Sequence, residues 1–407
     1  MESLRRKFPQ RAEEEGQRLR VGGLGRGLES AVEYESAHMR TTGGVPKRVA
    51  PTPKGKRVPV ARLRRADCSG PGIRRRRRGK GFEYVDDEGR RVAEPNVVER
   101  IRELAIPPAW EEVWICPYPM GHIQATGTDA AGRKQYRYHD RWRERRDQEK
   151  FESMVRFANA LPDLRKRVAE DLALDGMPKD KAVACAVRLM DRGFFRIGSE
   201  GYAEENETYG LATIRKDHVT IRDDTVVFDY EAKDNQRRVQ QIADPQVLDV
   251  VKALKLRRGG GDELLAYKVV RRWVDVKSPD INEYVKEAAK GDFTAKDFRT
   301  WNATVLAAVA LAVSGEVASG SKAARKRAVK RSVDEVARYL GNTPTVARAS
   351  YIDPRVFDRF DGGLTIGGAL PDLFDVDAWP GAQGDVEEAV LDLIAGDESS
   401  DALERVA

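Results

Sequence analysis

The sequence predicts an α+β protein, with a small N-terminal β-sheet domain followed by a larger, mainly helical domain that contains a β-meander. Short strand-like runs, separated by Gly, Pro and Asp turns, occupy residues 61–147. From residue 148 apolar residues recur at helical spacing, as at Val183, Val187 and Met190. Strand-like alternation returns once inside this helical part, between residues 219 and 241.

The N-terminal part divides into a basic extension and the sheet domain. Residues 1–60 are rich in Gly, Arg, Pro and Lys without apolar periodicity, which predicts a disordered extension. Five arginines, Arg74 to Arg78, precede a predicted β-hairpin with strands at 82–85 and 90–92 around an Asp-Asp-Glu-Gly turn. The other predicted elements are one helix and three strands, at 96–104, 113–116, 122–126 and 134–138.

The helical domain is predicted to span residues 148–360. Residues 314–331, rich in Arg and Lys, are interpreted as a linker. A Ser-x-x-Glu capping box at Ser332 predicts a helix over 332–340 that ends at Gly341 in the left-handed conformation. Thr343 and Pro344 then suit the start of the next helix. The remaining predicted helices cover 149–172, 178–192, 199–206, 245–254, 261–271, 280–288 and 294–313.

Charge is distributed unevenly along the 407 residues. The formal net charge is +6, but residues 371–407 carry eleven acidic residues against one arginine, so the preceding 370 residues carry +16. Such an excess indicates a polyanionic partner, because displaced counterions supply most non-specific affinity for nucleic acids. The alternative is a basic surface that only keeps the protein soluble. Residues 361–407 are predicted to be an acidic tail that either aids solubility or mimics DNA and weakens non-specific binding.

Location and redox state also follow from composition. No apolar run approaches the roughly 20 residues of a membrane span, and the N-terminal residues lack the apolar segment of a signal peptide. We therefore expect a cytoplasmic, nucleoid-associated protein that does not bind membranes. The cysteines Cys68, Cys116 and Cys185 have no metal-ligand spacing and are odd in number, so we expect reduced packing residues and no metal site.

Four positions suit chemistry on a phosphodiester. Tyr351 follows a short helix near Asn342 and Arg348, which can donate hydrogen bonds to an anion, although a helix corner with a buried tyrosine also fits. Arg196 lies between apolar neighbours, which suits either a rigid phosphate contact or a structural salt bridge. Lys233 lies in a hairpin turn, from which an ammonium can reach into a groove, although most lysines in turns are only solvated. Arg299 lies in a first helical turn, where a cation opposes the helix dipole, so its placement suggests another purpose such as contact with a phosphate.

Together these segments resemble the type IB DNA topoisomerases, in their compact bacterial and poxvirus-like form. The resemblance runs from about Leu63 to Phe360, so the terminal segments fall outside it. It depends on several motifs that occur in the family's order, and order makes them more specific than any one alone. These motifs are IPPAW (106–110), VWICP (113–117), QATGTDAAGRKQYRYH (124–139), YGLATIR (209–215), FTAKDFRTW (293–301) and NTPTVARASYIDP (342–354).

The resemblance implies a role for each of these residues. Tyr351 matches the nucleophile that forms a 3′-phosphotyrosyl enzyme and a free 5′-hydroxyl. Arg196 and Arg299 match the arginines that bind the non-bridging oxygens, and Lys233 matches the general acid for the leaving 5′-oxygen. Many relatives have a histidine where this chain has Asn342. An amide can donate a hydrogen bond but has no proton to exchange, so we expect it only to stabilise the transition state.

The resemblance also implies a monomer that closes as a clamp around double-stranded DNA. It implies relaxation of positive and negative supercoils without ATP, a metal ion or a small-molecule cofactor. In the 133–139 strand, basic and aromatic residues alternate, which favours DNA contact, with a plain edge strand as the alternative. The residues expected to contact DNA are Arg133, Lys134, Tyr136, Arg137, Tyr138, Gln124 and Arg348, with Gln124, Tyr136 and Tyr138 near the base edges.

Two other functions remain open from the sequence. Tyrosine recombinases share the phosphotyrosine step, but they usually have a histidine where this chain has Lys296, and they lack the IPPAW domain. A non-catalytic protein that only binds duplex DNA is the second alternative. The intact set of Tyr351, Arg196, Lys233 and Arg299 argues against it.

Overall fold

The computed structural model describes residues 62–201, 203, 207–315, 321–370 and 383–406. The predicted N-terminal extension lies outside the described residues, as does part of the predicted helix at 199–206. The predicted α+β architecture is confirmed: an N-terminal β-sheet precedes a mainly helical body with a three-stranded meander. None of the described helices is long and apolar enough to cross a membrane.

The N-terminal sheet has five antiparallel strands in the order β2-β1-β3-β4-β5. Its strands are β1 (Ile73–Arg78), β2 (Gly81–Val85), β3 (Glu111–Ile115), β4 (Ile123–Thr128) and β5 (Lys134–Tyr138), and helix α1 (Pro95–Glu103) lies between β2 and β3. A small core of Ile73, Ile101, Val113, Ile115 and Ala125 joins the helix to the sheet. The burial of these side chains holds this domain together.

The predicted 82–85/90–92 hairpin forms over a short stretch, where the Asp86 and Val92 amides donate to the Arg90 and Tyr84 carbonyls, but it is not the main pairing of its first strand. The arginine run is itself strand β1, which pairs with β2 across a turn where Gly79 has φ +57°, a conformation that favours glycine. Residue Arg91 makes only an isolated bridge to Val85. Arg75 is used structurally, because its guanidinium donates to the carbonyls of Ile106, Pro107 and Trp110.

The helical body begins earlier and is more continuous than expected. Its helices are α2 (Asp140–Leu172), α3 (Lys179–Gly193), α4 (Pro245–Leu256), α5 (Ser278–Ala288), α6 (Ala295–Val313), α7 (Lys322–Leu340), α8 (Pro344–Ser350) and α9 (Pro354–Asp361). The meander has strands β6 (Val219–Arg222), β7 (Thr225–Ala232) and β8 (Gln236–Ile242) in sequential order. One large apolar core packs the helices against the meander.

Two elements of this body correct the sequence prediction. The predicted helix at 261–271 is replaced by a hairpin of β9 (Ala266–Val269) and β10 (Arg272–Asp275), whose turn holds Val270 at φ +55°. The predicted linker at 314–331 is largely helix, because α7 begins at Lys322 with Ser321 as its N-cap. Ser332 is therefore not a cap, and its hydroxyl donates to the Ala307 carbonyl.

The described part of the predicted acidic tail is folded against the helical body. Strand β11 (Leu364–Thr365) pairs with β12 (Glu404–Arg405), and helix α10 (Gln383–Ala395) lies between them in sequence. Helix α10 buries five apolar side chains in the main core: Val386, Ala389, Val390, Leu393 and Ile394. Apolar residues at helical spacing thus outweigh the acidic composition of this segment.

Candidate active site

The structure brings four of the predicted catalytic residues to one cleft of about 450 Å³. Arg196 follows α3, Lys233 lies in the β7–β8 turn, Arg299 is in the first turn of α6 and Tyr351 ends α8. No carboxylate lines this cleft within the described part of the chain. The lining residues are Arg196, Ile197, Gly198, Ser199, Thr208, Tyr209, Lys233, Ala295, Lys296, Arg299 and Tyr351.

A close crossing of two backbone segments holds Arg196. The carbonyl of Arg196 accepts a hydrogen bond from the Leu211 amide at 2.8 Å, and that of Ile197 accepts one from Ala212 at 2.7 Å. A Cβ at Gly210 would lie 2.4 Å from Gly198 Cα, so this crossing requires glycine. The guanidinium of Arg196 is thereby presented from a rigid backbone.

Arg299 is the most deeply placed cation of the cleft, with 5% of its surface exposed. Its Nη1 donates to the Phe194 carbonyl at 2.6 Å and its Nη2 to the Leu340 carbonyl at 2.9 Å. Burial and the neighbouring charge of Arg196 lower the pKa of Arg299 to about 10. The Nε of Arg299 is buried and has no hydrogen-bond partner among the described residues.

Asn342 links the two arginines rather than standing apart from them. Gly341 ends α7 in the left-handed conformation, as predicted, and turns the chain so that Asn342 faces the cleft side of the helix end. The Asn342 Oδ1 accepts hydrogen bonds from Arg196 Nη2 and Arg299 Nη2, both at 3.1 Å. Its side-chain oxygen therefore orients both guanidinium groups, a role that the sequence did not suggest.

Tyr351 is half-buried beside these cations, and its ring centroid lies 5.3 Å from Arg299 Cζ. Burial alone would raise the pKa of the Tyr351 phenol, but the charges of Arg299, Arg196 and Lys296 hold it below its ordinary value. The Thr304 hydroxyl, whose closer acceptor is the Thr300 carbonyl at 2.9 Å, lies 3.3 Å from the Tyr351 carbonyl. The phenol thus lies beside α6 and loses its proton more readily than that of an ordinary tyrosine.

Lys233 and Lys296 reach the cleft from exposed positions. Lys233 begins a turn in which Asp234 and Asn235 both have positive φ, which reverses the chain tightly between β7 and β8. Lys296 precedes Arg299 by three residues, so both lie on one face of the first turn of α6. Lys296 is not among the predicted cleft residues, although its spacing from Arg299 is a usable signal.

The predicted DNA-binding strand presents one aromatic face. Tyr136 and Tyr138 are 42% and 41% exposed and stack with ring centroids 6.0 Å apart, with Lys134 Nζ 5.9 Å from the Tyr136 ring. The opposite face is partly used within the domain, because Arg137 Nε donates to the Leu104 carbonyl. Arg133 pairs with Asp129 in the preceding turn.

Gln124 does not fit a base contact. It is 3% exposed, and its Nε2 donates to the carbonyls of Tyr118, Pro119 and Gly121. Its Oε1 accepts from Arg100, so the whole amide stabilises the loop before β4. Arg348, also predicted near the tyrosine, is exposed and lies over the Phe357 ring at 4.6 Å.

Comparison with known proteins agrees with this geometry. Residues 139–360 match the model of the eukaryotic DNA topoisomerase I catalytic core, and residues 81–129 match that of the bacterial DNA topoisomerase IB N-terminal domain. A DNA topoisomerase 1B of Acanthamoeba polyphaga mimivirus is 31% identical over 292 residues, which cover 69% of this chain and 85% of the relative.

The chain belongs to the type IB DNA topoisomerase family. More distant members match shorter stretches. A DNA topoisomerase 1 of Candidozyma auris is 32% identical over 165 residues, which cover 39% of this chain and 20% of that relative. A DNA topoisomerase I of Monkeypox virus is 26% identical over 125 residues, covering 31% of this chain and 38% of the viral protein. Helix α10 lies outside the part matched by the topoisomerase core model.

Proposed function

We propose that this protein relaxes supercoiled double-stranded DNA by cutting one strand through Tyr351 and rejoining it. The observation that supports this is the meeting of a phenol of lowered pKa with Arg196, Lys233 and Arg299 in one cleft. Phosphoryl transfer needs fixed positive charge around the phosphate oxygens and a proton for the leaving oxygen. These side chains supply both.

The steps follow from the residues in the cleft. The phenolate of Tyr351 attacks a backbone phosphorus, and a P–O bond forms as the bond to the 5′-oxygen breaks. Arg196 and Arg299, oriented by Asn342, neutralise the charge on the non-bridging oxygens. Lys233 gives its proton to the departing oxygen. Because the phosphotyrosine retains the energy of the broken bond, the 5′-hydroxyl reverses the reaction without ATP.

The N-terminal sheet would supply part of the grip on DNA, through the exposed pair Tyr136 and Tyr138 and the neighbouring Lys134. We propose that the protein acts as a monomer on DNA in the cytoplasm. The basic charge of residues 1–370 supports a polyanionic partner.

The decisive experiment is relaxation of supercoiled plasmid, with a chelator present and ATP absent, by wild-type protein beside Tyr351→Phe. We expect wild-type protein to relax both positive and negative supercoils and Tyr351→Phe to relax neither. A covalent protein–DNA adduct should form on a nicked suicide duplex only with wild-type protein. Duplex binding without relaxation or adduct would favour the non-catalytic alternative, and strand exchange without relaxation would favour a recombinase.

A further inference from the structure

Thr208 has an unusual environment at the wall of the catalytic cleft. The residue is 5% exposed, and its hydroxyl oxygen is buried without a hydrogen-bond partner in the described residues. Buried hydroxyl groups are nearly always hydrogen-bonded, because an unpaired one loses its contacts with water and gains none. Other buried threonines here follow that rule, since Thr213 and Thr304 each form hydrogen bonds.

The backbone around Thr208 is attached to both sides of the catalytic cleft. The amide of Tyr209 donates to the Glu231 carbonyl at 2.8 Å, two residues before Lys233. The amide of Leu211 donates to the carbonyl of Arg196 at 2.8 Å. Thr208 is therefore held between the segments that carry two of the cationic side chains.

The charge of the cleft indicates which kind of ligand the Thr208 hydroxyl would contact. Arg196, Lys233, Lys296 and Arg299 line it and, within the described part of the chain, no carboxylate does. The cleft therefore attracts an anion, towards which a threonine hydroxyl acts as a donor. Arg299, which lines the same cleft, also has a buried donor, its Nε, without a partner among the described residues.

We propose that Thr208 is a further catalytic residue, whose hydroxyl donates a hydrogen bond to a phosphate oxygen of the DNA in the cleft. Because Thr208 lines the cleft, rotation about χ1 can turn its hydroxyl towards an anion bound there. No bond is made or broken at Thr208. The proposal depends on the proposed function for the identity of the anion, which is a DNA phosphodiester.

The test compares Thr208→Val, which has the same shape without the hydroxyl, with Thr208→Ser, which keeps it. Single-turnover cleavage of a suicide duplex should slow by about tenfold to a hundredfold in Thr208→Val and by less than about threefold in Thr208→Ser. The Tm of Thr208→Val should equal or exceed that of wild type, because no hydrogen bond is lost on substitution. If Thr208 had only a structural role, Thr208→Val would instead lower the Tm of the protein.

Thr365→Val provides the matched control. Thr365 is 2% exposed, and its hydroxyl accepts a hydrogen bond from the Gly367 amide and donates one to the Glu404 carbonyl outside the cleft. This variant should lose Tm while its cleavage rate stays at the wild-type value. Cleavage by Thr208→Val within twofold of wild type would overturn the proposal, as would equal losses in Thr208→Val and Thr208→Ser.

A binding measurement separates this proposal from the proposed function. In a Tyr351→Phe background, which cannot cut, Thr208→Val should weaken duplex affinity by about tenfold, while Thr208→Ser should not. If wild-type protein bound DNA but never cut it, the proposed function would fail and this comparison would still test the Thr208 contact. If Tyr351→Phe proteins with Thr, Val or Ser at position 208 bound the duplex equally well, the contact itself would be overturned.

Discussion

Tyr351 is the residue on which the charges of the cleft have the clearest chemical consequence. Burial raises its pKa, and the cations Arg299, Arg196 and Lys296 lower it further than burial raises it. If the phenolate is the attacking species, as proposed, cleavage should speed up with rising pH and level off below the pH at which an ordinary tyrosine ionises. Lys296→Gln removes one cation and should therefore move the midpoint of the curve of cleavage rate against pH to higher pH.

The measurement is the single-turnover cleavage rate across a pH series. Lys290→Gln, at an exposed lysine that does not line the cleft, is the control and should leave the midpoint in place. An unchanged midpoint in Lys296→Gln would show that this ammonium does not act on Tyr351.

Asn342 is the other single residue with a sharp prediction. Its Oδ1 accepts from both arginines, so Asn342→Asp would place a full negative charge between them. We expect Asn342→Asp to raise Tm, because a charged acceptor replaces a neutral one between two guanidinium groups, and to slow cleavage by about a hundredfold, because the cleft loses net positive charge. Asn342→His should retain activity. A loss in Asn342→His as large as in Tyr351→Phe would contradict the view that Asn342 only stabilises the transition state.

The sequence could predict which residues meet in the cleft, but not how they support one another. Tyr351, Arg196, Lys233 and Arg299 stand in recognisable motifs, and the structure places them in one cleft. The acceptor role of Asn342 and the position of Thr208 depend on contacts between segments far apart in the chain. Gln124 is expected from the resemblance to contact DNA near the base edges, yet its amide is used by three loop carbonyls and Arg100.

Among the elements, α6 connects the nucleophile to the cations. It carries Lys296 and Arg299 in its first turn and Thr304 further along. Thr304 Oγ1 accepts from the Asp353 amide at 3.1 Å and donates its proton to the Thr300 carbonyl at 2.9 Å, with the Tyr351 carbonyl at 3.3 Å. Thr304→Val leaves that buried amide unpaired, which should reduce the free energy of unfolding by about 1–3 kcal/mol.

The same substitution should slow cleavage beyond its effect on folding, because the Asp353 amide, two residues after Tyr351, loses the acceptor that fixes this stretch of backbone. Denaturant unfolding and single-turnover cleavage on fully folded enzyme measure the two effects. Thr304→Ser, which keeps the hydroxyl, is the control and should preserve the cleavage rate. A normal cleavage rate in Thr304→Val would show that the remaining backbone bonds suffice to place the tyrosine.

Elements in which apolar residues recur at regular spacing are predicted well from the sequence, and elements without such regular spacing are not. Helix α6 starts and ends close to its predicted bounds because its capping box and its buried Phe298 and Trp301 agree. The predicted helix at 332–340 covers only the second half of α7. The first half of α7 consists mainly of Lys and Arg, and only Ala328 and Val329 are buried there, so it lacks a clear apolar pattern. The β9–β10 hairpin was missed because its turn depends on Val270 in the left-handed region, where valine is rare.

At the scale of the whole molecule, the C-terminal segment joins the helical body through a buried polar network. Glu387 on α10 accepts from Trp301 Nε1 at 2.9 Å and pairs with Arg165, which also pairs with Asp191. Although burial alone would lower it, the pKa of Arg165 is raised well above its ordinary value by these two carboxylates. Deleting residues 371–407 would therefore remove part of the core, not only negative charge.

This arrangement changes how the acidic segment must be tested. A truncation after Leu370 should lower the free energy of unfolding by roughly several kcal/mol, because five buried apolar side chains and the Trp301 acceptor are lost.

Asp385→Asn with Glu388→Gln removes only exposed charge and should leave Tm unchanged. If the segment weakens DNA binding by mimicry, this double variant binds duplex DNA more tightly at low salt, and the gain disappears as salt screens the charges. Equal affinity of the double variant and wild type at every salt concentration would instead assign the acidic residues to solubility, with α10 as a structural part of the catalytic body.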